Sequence, residues 1–296
     1  MCDCWKTKET KYLSLEKLKP IINDLKKLNA GLIMVSGGEP LLHPQIIDIL
    51  KYIKEIGLKC SLNTNGILLN KKLDKISPLI DYMVISLDAS NKELYKEIRG
   101  SDSFNIVIDN IKMIKSRYPN IKLEIRTTLM RKNIFDFHNI LSLAKNLGLD
   151  GVGISPADYD SKSFGRQEIN KQKNIDLLIP SLEELDQWEN FIKNKPIIKE
   201  SFKTKLINWN DENFLRLINF YRKIRKNSFD ILENELCFFP HTSLLIDYEG
   251  ELKNCFYSET FATLDDYNIN QITSQDNLIN LENQKKCFNC RGRVFT

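Results

Sequence analysis

The 296-residue chain lacks any apolar run of about 18 residues, the length a spanning helix needs, so no membrane-spanning helix is expected. It also lacks the apolar stretch of a secretory signal: its first ten residues, MCDCWKTKET, are polar. No excess of one charge is present. The 43 Lys and Arg against 39 Asp and Glu leave +4, too near balance to demand a nucleic-acid partner. Histidine is scarce, at three residues; His43, His138 and His241 stand singly, and none is assigned a catalytic role. Cysteine is odd in number, at seven, and bunched at the two ends, which argues against a disulfide scaffold. Together these absences point to a cytoplasmic, reducing setting, where clustered cysteines bind metal or do chemistry.

What is there is a core-forming pattern. Hydrophobic residues make up 42% of the chain, enough for one large domain with an appendage or two medium ones. Through residue 157, short apolar runs alternate with stretches of helical spacing. The runs are 32–36 (LIMVS), 60–65 (CSLNTN), 83–88 (MVISLD), 122–130 (KLEIRTTLM) and 151–157 (GVGISPA). Helices are expected over 14–29, 44–57 and near 70–79, 103–117 and 134–147. Such alternation implies a parallel sheet with helices outside, doubly wound or barrel-like. The runs read as continuously apolar, as expected of strands buried on both faces. The first element is a helix, where an α/β sheet ordinarily opens with a strand, so a strand ahead of Met1 is expected. Residues 158–235 carry helical patterns such as LEELDQWENFIKN and are expected to form a helical insertion or linker; their Trp188, Trp209, Tyr221 and Arg222 read as packing residues. Residues 236–296 hold a hairpin pattern, TSLLIDYEGELKNC, and end in CFNC.

Two cysteine groups carry chemistry. Cys237 and Cys255 flank the hairpin and Cys287-x-x-Cys290 follows, a set that suits a four-thiolate centre, zinc or iron–sulfur. Cys60 lies alone in a strand pattern and reads as core packing.

At the chain's start, MCDCW together with SGGEP resembles the radical S-adenosylmethionine (SAM) enzymes. Their cluster motif is C-x-x-x-C-x-x-C with a bulky residue before the third cysteine and often Asp-x-Trp after it. Here Met1 takes the bulky position, Cys2 the third cysteine, and Asp3 and Trp5 the trailing pair. Cys4 falls at the variable position between them and is not a ligand. The first two cysteines fall upstream of Met1, so the 296-residue product is expected not to cleave SAM, whereas a form carrying both is expected to. Gly37-Gly38-Glu39-Pro40 follows an apolar run as the family's motif does. Two glycines let backbone approach a ligand, and the Glu39 carboxylate is expected to accept hydrogen bonds from the SAM ammonium.

The resemblance further implies that Asn63, Asn65, Ser86 and Asp88, at the ends of the second and third strands, face the SAM ribose and carboxylate. Arg126, a charge inside an apolar strand, is expected to meet either the SAM carboxylate or Glu124. Ile154 and Ser155 are expected to pack on adenine. Cys237, Cys255, Cys287 and Cys290 are similar to the SPASM and Twitch auxiliary domains, which implies one auxiliary [4Fe–4S] cluster. The expected architecture is thus an α/β, partial (β/α)6 TIM-like barrel lacking its first strand over 1–157. A helical insertion over 158–235 and a small auxiliary domain over 236–296 complete it. The family's chemistry pairs a [4Fe–4S] cluster with SAM, takes electrons from a flavodoxin- or ferredoxin-type reductant, and oxidises or modifies a peptide or carbohydrate-type substrate. The competing expectation is a non-catalytic binding module with a structural four-cysteine metal site.

Overall fold

The computed structural model describes residues 11–160, 170–228, 242–255 and 258–273. Its centre is a five-stranded parallel sheet in sequential order: β1 (Leu32–Val35), β2 (Lys59–Thr64), β3 (Tyr82–Ser86), β4 (Lys122–Leu129) and β5 (Gly151–Pro156). Helices α1 (Leu15–Lys27), α2 (Ile46–Glu55), α3 (Leu69–Ile76), α4 (Lys92–Arg99), α5 (Phe104–Arg117) and α6 (Phe137–Asn146) alternate with the strands. This is the α/β topology expected from the alternation. The one helix absent from that expectation is α4. Asn91 caps it, its side chain accepting from the Leu94 amide at 3.0 Å, and Gly100 ends it at φ +69°. Eight residues between two stronger patterns gave too short a period to read.

Side-chain parity divides the sheet into two unlike faces. Register aligns Leu62, Met83 and Leu123 across three strands, and Ile85 with Ile125 across two. These side chains, with Cys60 and Leu129 of the same face, have no exposed surface and pack under the helices. Each contributes roughly 1.5–3 kcal/mol of transfer free energy. The other face carries no helix among the described residues. Leu32 and Met34 on it are 44% and 52% exposed, and β4 alternates strictly between exposed or half-buried and buried positions. The expectation of strands buried on both faces holds at β2 and β3, where Ser61 and Val84 of this second face are buried, and is corrected at β1 and β4, where Leu32, Met34 and Arg126 are exposed.

The two outer strands end differently. At β5 the Val152 amide donates to the Leu206 carbonyl at 2.7 Å, so the 204–207 segment lies against that edge. Residues 171–226 form α7 (Lys171–Leu178), α8 (Leu182–Asn194), α9 (Pro196–Lys203) and α10 (Asp211–Lys226). Trp188, Phe202, Trp209 and Phe137 surround Phe214, with ring centroids 5.0–6.1 Å away, and join these helices to α6. The buried Tyr221 hydroxyl accepts from the Ala157 amide at 2.9 Å and donates to the Leu129 carbonyl at 2.6 Å, clamping the ends of β5 and β4. Arg222 pairs with Asp186 and Glu189, a surface tie.

The hairpin pattern becomes a three-stranded antiparallel sheet, β6 (Leu245–Ile246), β7 (Glu251–Lys253) and β8 (Ala262–Thr263). Asp247 holds its turn by accepting from the Glu249 and Glu251 amides, and Gly250 supplies φ +85°. The sheet docks on α1 through Lys17–Asp265 at 3.1 Å and a Tyr267 hydroxyl that donates to Asp24 at 3.0 Å. No helix among the described residues is long and apolar enough to cross a membrane.

Candidate functional site

The carboxyl ends of parallel strands gather polar groups, because each strand stops there and its loop leaves the sheet. Here β1 runs into Gly37-Gly38. Gly37 takes φ +145°, a value L side chains rarely adopt, and a Cβ built on it meets nothing within 4 Å. Both glycines are exposed, so backbone is presented to open space. Pro40 begins a single 3-10 turn, Pro40–Leu42, and is itself buried.

On the open face the polar side chains rise in levels. Asn63 aligns with Val84 and Glu124; Ser86 aligns with Arg126 and Gly153; Thr128 aligns with Ser155. The Asn63 amide nitrogen reaches the Met34 sulfur at 3.2 Å, and its Oδ1 is buried with no hydrogen-bond partner among the described residues. Arg126 has neither ion pair nor hydrogen bond among the described residues. It is exposed on this face; partial desolvation by its neighbours lowers its pKa from the usual arginine range, and the charge of Glu124 works against that shift. A Cβ at Gly153 would stand 2.7 Å from the Arg126 Nε, and one at Gly151 about 3.0 Å from the Glu124 carboxyl carbon. Glycine opposite each charge is what lets the two side chains lie across β5. The salt bridge between Arg126 and Glu124 that the sequence left open does not form within 4.0 Å.

Other residues expected at the site are occupied elsewhere. Asp88 is 1% exposed. One of its oxygens accepts from the Thr128 amide at 2.7 Å and the other pairs with Arg99 at 2.7 Å. It is a buried carboxylate held within the chain by the Thr128 amide and by its ion pair with Arg99. The Asn65 side-chain oxygen accepts from the Ile67 amide at 2.9 Å, closing an Asx turn that sets Gly66 at φ +81°. Ile154 is 6% exposed and aligns with Thr127 on the helix-covered face; it does not join the open-face group, and Ser155 does. Glu39, expected to reach a ligand ammonium, is bonded within the chain instead: Oε1 accepts from Thr64 Oγ1 at 2.7 Å and the Leu41 amide at 3.1 Å, and Oε2 from the Asn65 amide at 2.8 Å. Sequence reasoning missed Glu124 as an open-face charge; its spacing of two from Arg126 was the available signal.

His43 is structural: its Nε2 donates to the Leu13 carbonyl at 3.0 Å while Nδ1 accepts from the Gln45 amide at 3.0 Å. Cys60 has no exposed surface, and burial pushes its thiol up to about 12, so it is no ligand or nucleophile. Cys255 is buried just after β7, its amide donating to Ser258 Oγ at 3.0 Å. Cys2, Cys4, Cys237, Cys287, Cys290 and His241 lie outside the described residues. Among the described residues no three His, Cys, Asp or Glu side chains converge as a metal site. A cavity of about 450 Å³ lies at the opposite, amino-terminal end of the strands, lined by Lys54, Lys59, Tyr82 and Lys122, away from the Gly37–Gly38 loop.

The parallel α/β sheet thus carries a glycine loop at the end of β1 and, inside β4, a guanidinium without an ion pair among the described residues. Comparison with known proteins gives the following likenesses. Residues 1–144 match the model of the radical SAM superfamily. A probable GTP 3′,8-cyclase of Sulfurisphaera tokodaii is 32% identical over 154 residues, covering 48% of this chain and 49% of that protein. An AdoMet-dependent heme synthase of Methanosarcina barkeri is 27% identical over 183 residues, covering 56% and 52%. The chain thus spans about half the length of these curated relatives. Streptococcus suis SuiB bound to the precursor peptide SuiA shares the fold with a TM-score of 0.63 at 14% identity, covering 99% of this chain and 67% of that one.

Proposed function

We propose that this protein carries the SAM-binding core of a radical SAM enzyme, which binds SAM along the open face of the sheet and, in a form bearing all three core cysteines, oxidises or otherwise modifies a peptide or carbohydrate-type substrate. The observation that carries the proposal is Arg126, a guanidinium exposed on the open face with no ion pair or hydrogen bond among the described residues, set across Gly153 at the level of Ser86. An exposed guanidinium free of ion pairs is open to an anionic ligand group, and the SAM carboxylate is such a group. The orphaned Asn63 oxygen asks for a donor, which a ribose hydroxyl supplies. The exposed Gly37–Gly38 backbone offers carbonyl acceptors to an ammonium. These residues fit SAM.

When bound and reduced, a [4Fe–4S] cluster with SAM supplies a 5′-deoxyadenosyl radical that abstracts hydrogen from substrate. Cys2 is the proposed ligand of that cluster in this chain, and Cys237, Cys255, Cys287 and Cys290 those of one auxiliary cluster; an electron donor of flavodoxin or ferredoxin type is the proposed protein partner. The chain's own part is to hold the carboxylate at Arg126, present backbone at Gly37–Gly38, and use the helix-covered face to keep that geometry rigid. The relatives named for GTP and heme chemistry, and the fold neighbour bound to a peptide, support a modifying reaction without fixing the substrate.

The test is anaerobic reconstitution of the full chain with iron and sulfide, followed by metal analysis and SAM titration. Iron with acid-labile sulfide and saturable SAM binding are expected. Stoichiometric zinc without sulfide, and no SAM binding, would establish the binding-module alternative instead.

A further inference from the structure

The Glu39 carboxylate sits on the closed side of the sheet. Its partner Thr64 is 3% exposed and aligns with Ile85, Ile125 and Val152 on the helix-covered face, opposite to Arg126. Three hydrogen bonds, from Thr64 Oγ1, the Leu41 amide and the Asn65 amide, fill three of the roughly four lone-pair positions a carboxylate offers. Thr64 Oγ1 also accepts from the Gly66 amide at 3.1 Å, and Lys72 donates to the Leu41 carbonyl at 2.6 Å. One carboxylate therefore ties the loop after β1 to the loop after β2.

We infer that Glu39 is a positioning residue: it latches the Gly37–Gly38 backbone to Thr64 and Asn65 and acts on SAM through that backbone, with no contact between its carboxylate and the ligand. The inference rests on the SAM-binding reading above. Glutamine at position 39 keeps the size but places an amide N–H₂ where an acceptor is required. Valine at 64 keeps the shape and removes the donor. Serine at 64 keeps the donor.

The experiment is calorimetric SAM titration of the reconstituted full chain and of its Glu39→Gln, Thr64→Val, Thr64→Ser and Glu39→Gln/Thr64→Val forms, with amide hydrogen exchange over 37–42 and 64–67. Each variant breaks a bond to a charged group, so Glu39→Gln and Thr64→Val are each expected to weaken SAM binding about 10-fold. Both are expected to speed exchange at Leu41 and Asn65. Thr64→Ser is expected to stay within about 3-fold of the parent, and the double variant to be less weakened than the two single losses multiplied, because the two residues share one bond. If Thr64→Val binds SAM as the parent does while Glu39→Gln does not, the carboxylate touches the ligand and the inference falls. Unchanged exchange at Leu41 and Asn65 in Glu39→Gln overturns it too. A parent protein that binds no SAM overturns the functional reading alone; the exchange arm then still decides the latch.

Discussion

The two faces of one sheet follow opposite rules. On the helix-covered face the side chains of the central strands are satisfied by the chain itself. Apolar side chains meet helices, and the polar ones, Thr64 and Thr127, donate to Glu39 and to the Leu87 carbonyl. On the open face Asn63 Oδ1 is buried without a hydrogen-bond partner, and the exposed Arg126 makes no ion pair among the described residues. A protein tolerates unmet polar groups where a ligand completes them, and completes its own elsewhere. The contrast between Asp88 and Arg126 states the difference in two residues: Asp88, just after β3, is paired within the fold, and Arg126, inside β4, is not.

That contrast can be broken from either side. The largest expected effect is on the closed side. Asp88→Asn leaves Arg99 without its counter-charge next to a 1%-exposed site, and the expected cost is about 3 kcal/mol of stability, read as a lowered midpoint of denaturant unfolding. A midpoint equal to the parent's would show that Asp88 is not structural.

On the open side, Gly153→Ala places a methyl 2.7 Å from the Arg126 Nε and swings the guanidinium away. SAM affinity is expected to fall about 10-fold, the loss of one charge-assisted bond, with the unfolding midpoint nearly unmoved. Affinity unchanged in calorimetry would mean that Arg126 adapts and its place across β5 is immaterial.

The smallest effect is a pH dependence where the small sheet docks on α1. Burial, then the neighbouring Asp24 carboxylate, raises the Tyr267 phenol to about 12. Its unfolded value is near 10, so below pH 10 the phenol is protonated in both states and the docking is at full strength. As pH rises from about 10 to 12 the unfolded chain ionises first, and stability is lost. Tyr267→Phe is expected to flatten the unfolding midpoint over that window; a parallel decline in the variant assigns the loss to another group.

Much of this was legible in residue order. Strand and helix alternation through 157 follows from apolar spacing, and the glycine pair after β1 and the charge inside β4 marked the site. What could not be read was where side chains point. Glu39 and Asp88 look like ligands in a motif, because a one-dimensional pattern does not show that Thr64, Asn65, Thr128 and Arg99 are in reach to occupy them. The apolar runs suggested two buried faces because Leu32, Met34 and Val84 are apolar on the open side as well, and hydrophobicity alone does not report which side a helix covers. α4 was lost for its shortness, and Ile154 was misplaced by one residue of strand parity, which moves a side chain to the other face.

The central claim, that Arg126 holds the carboxylate of SAM on the open face, is tested most directly by a two-by-two calorimetric titration. Reconstituted parent protein and Arg126→Met are each titrated with SAM and with decarboxylated SAM. The parent is expected to prefer SAM by about 10- to 100-fold, the range of a charge-assisted contact, and Arg126→Met to bind both alike. A preference for SAM that survives in Arg126→Met would contradict the account.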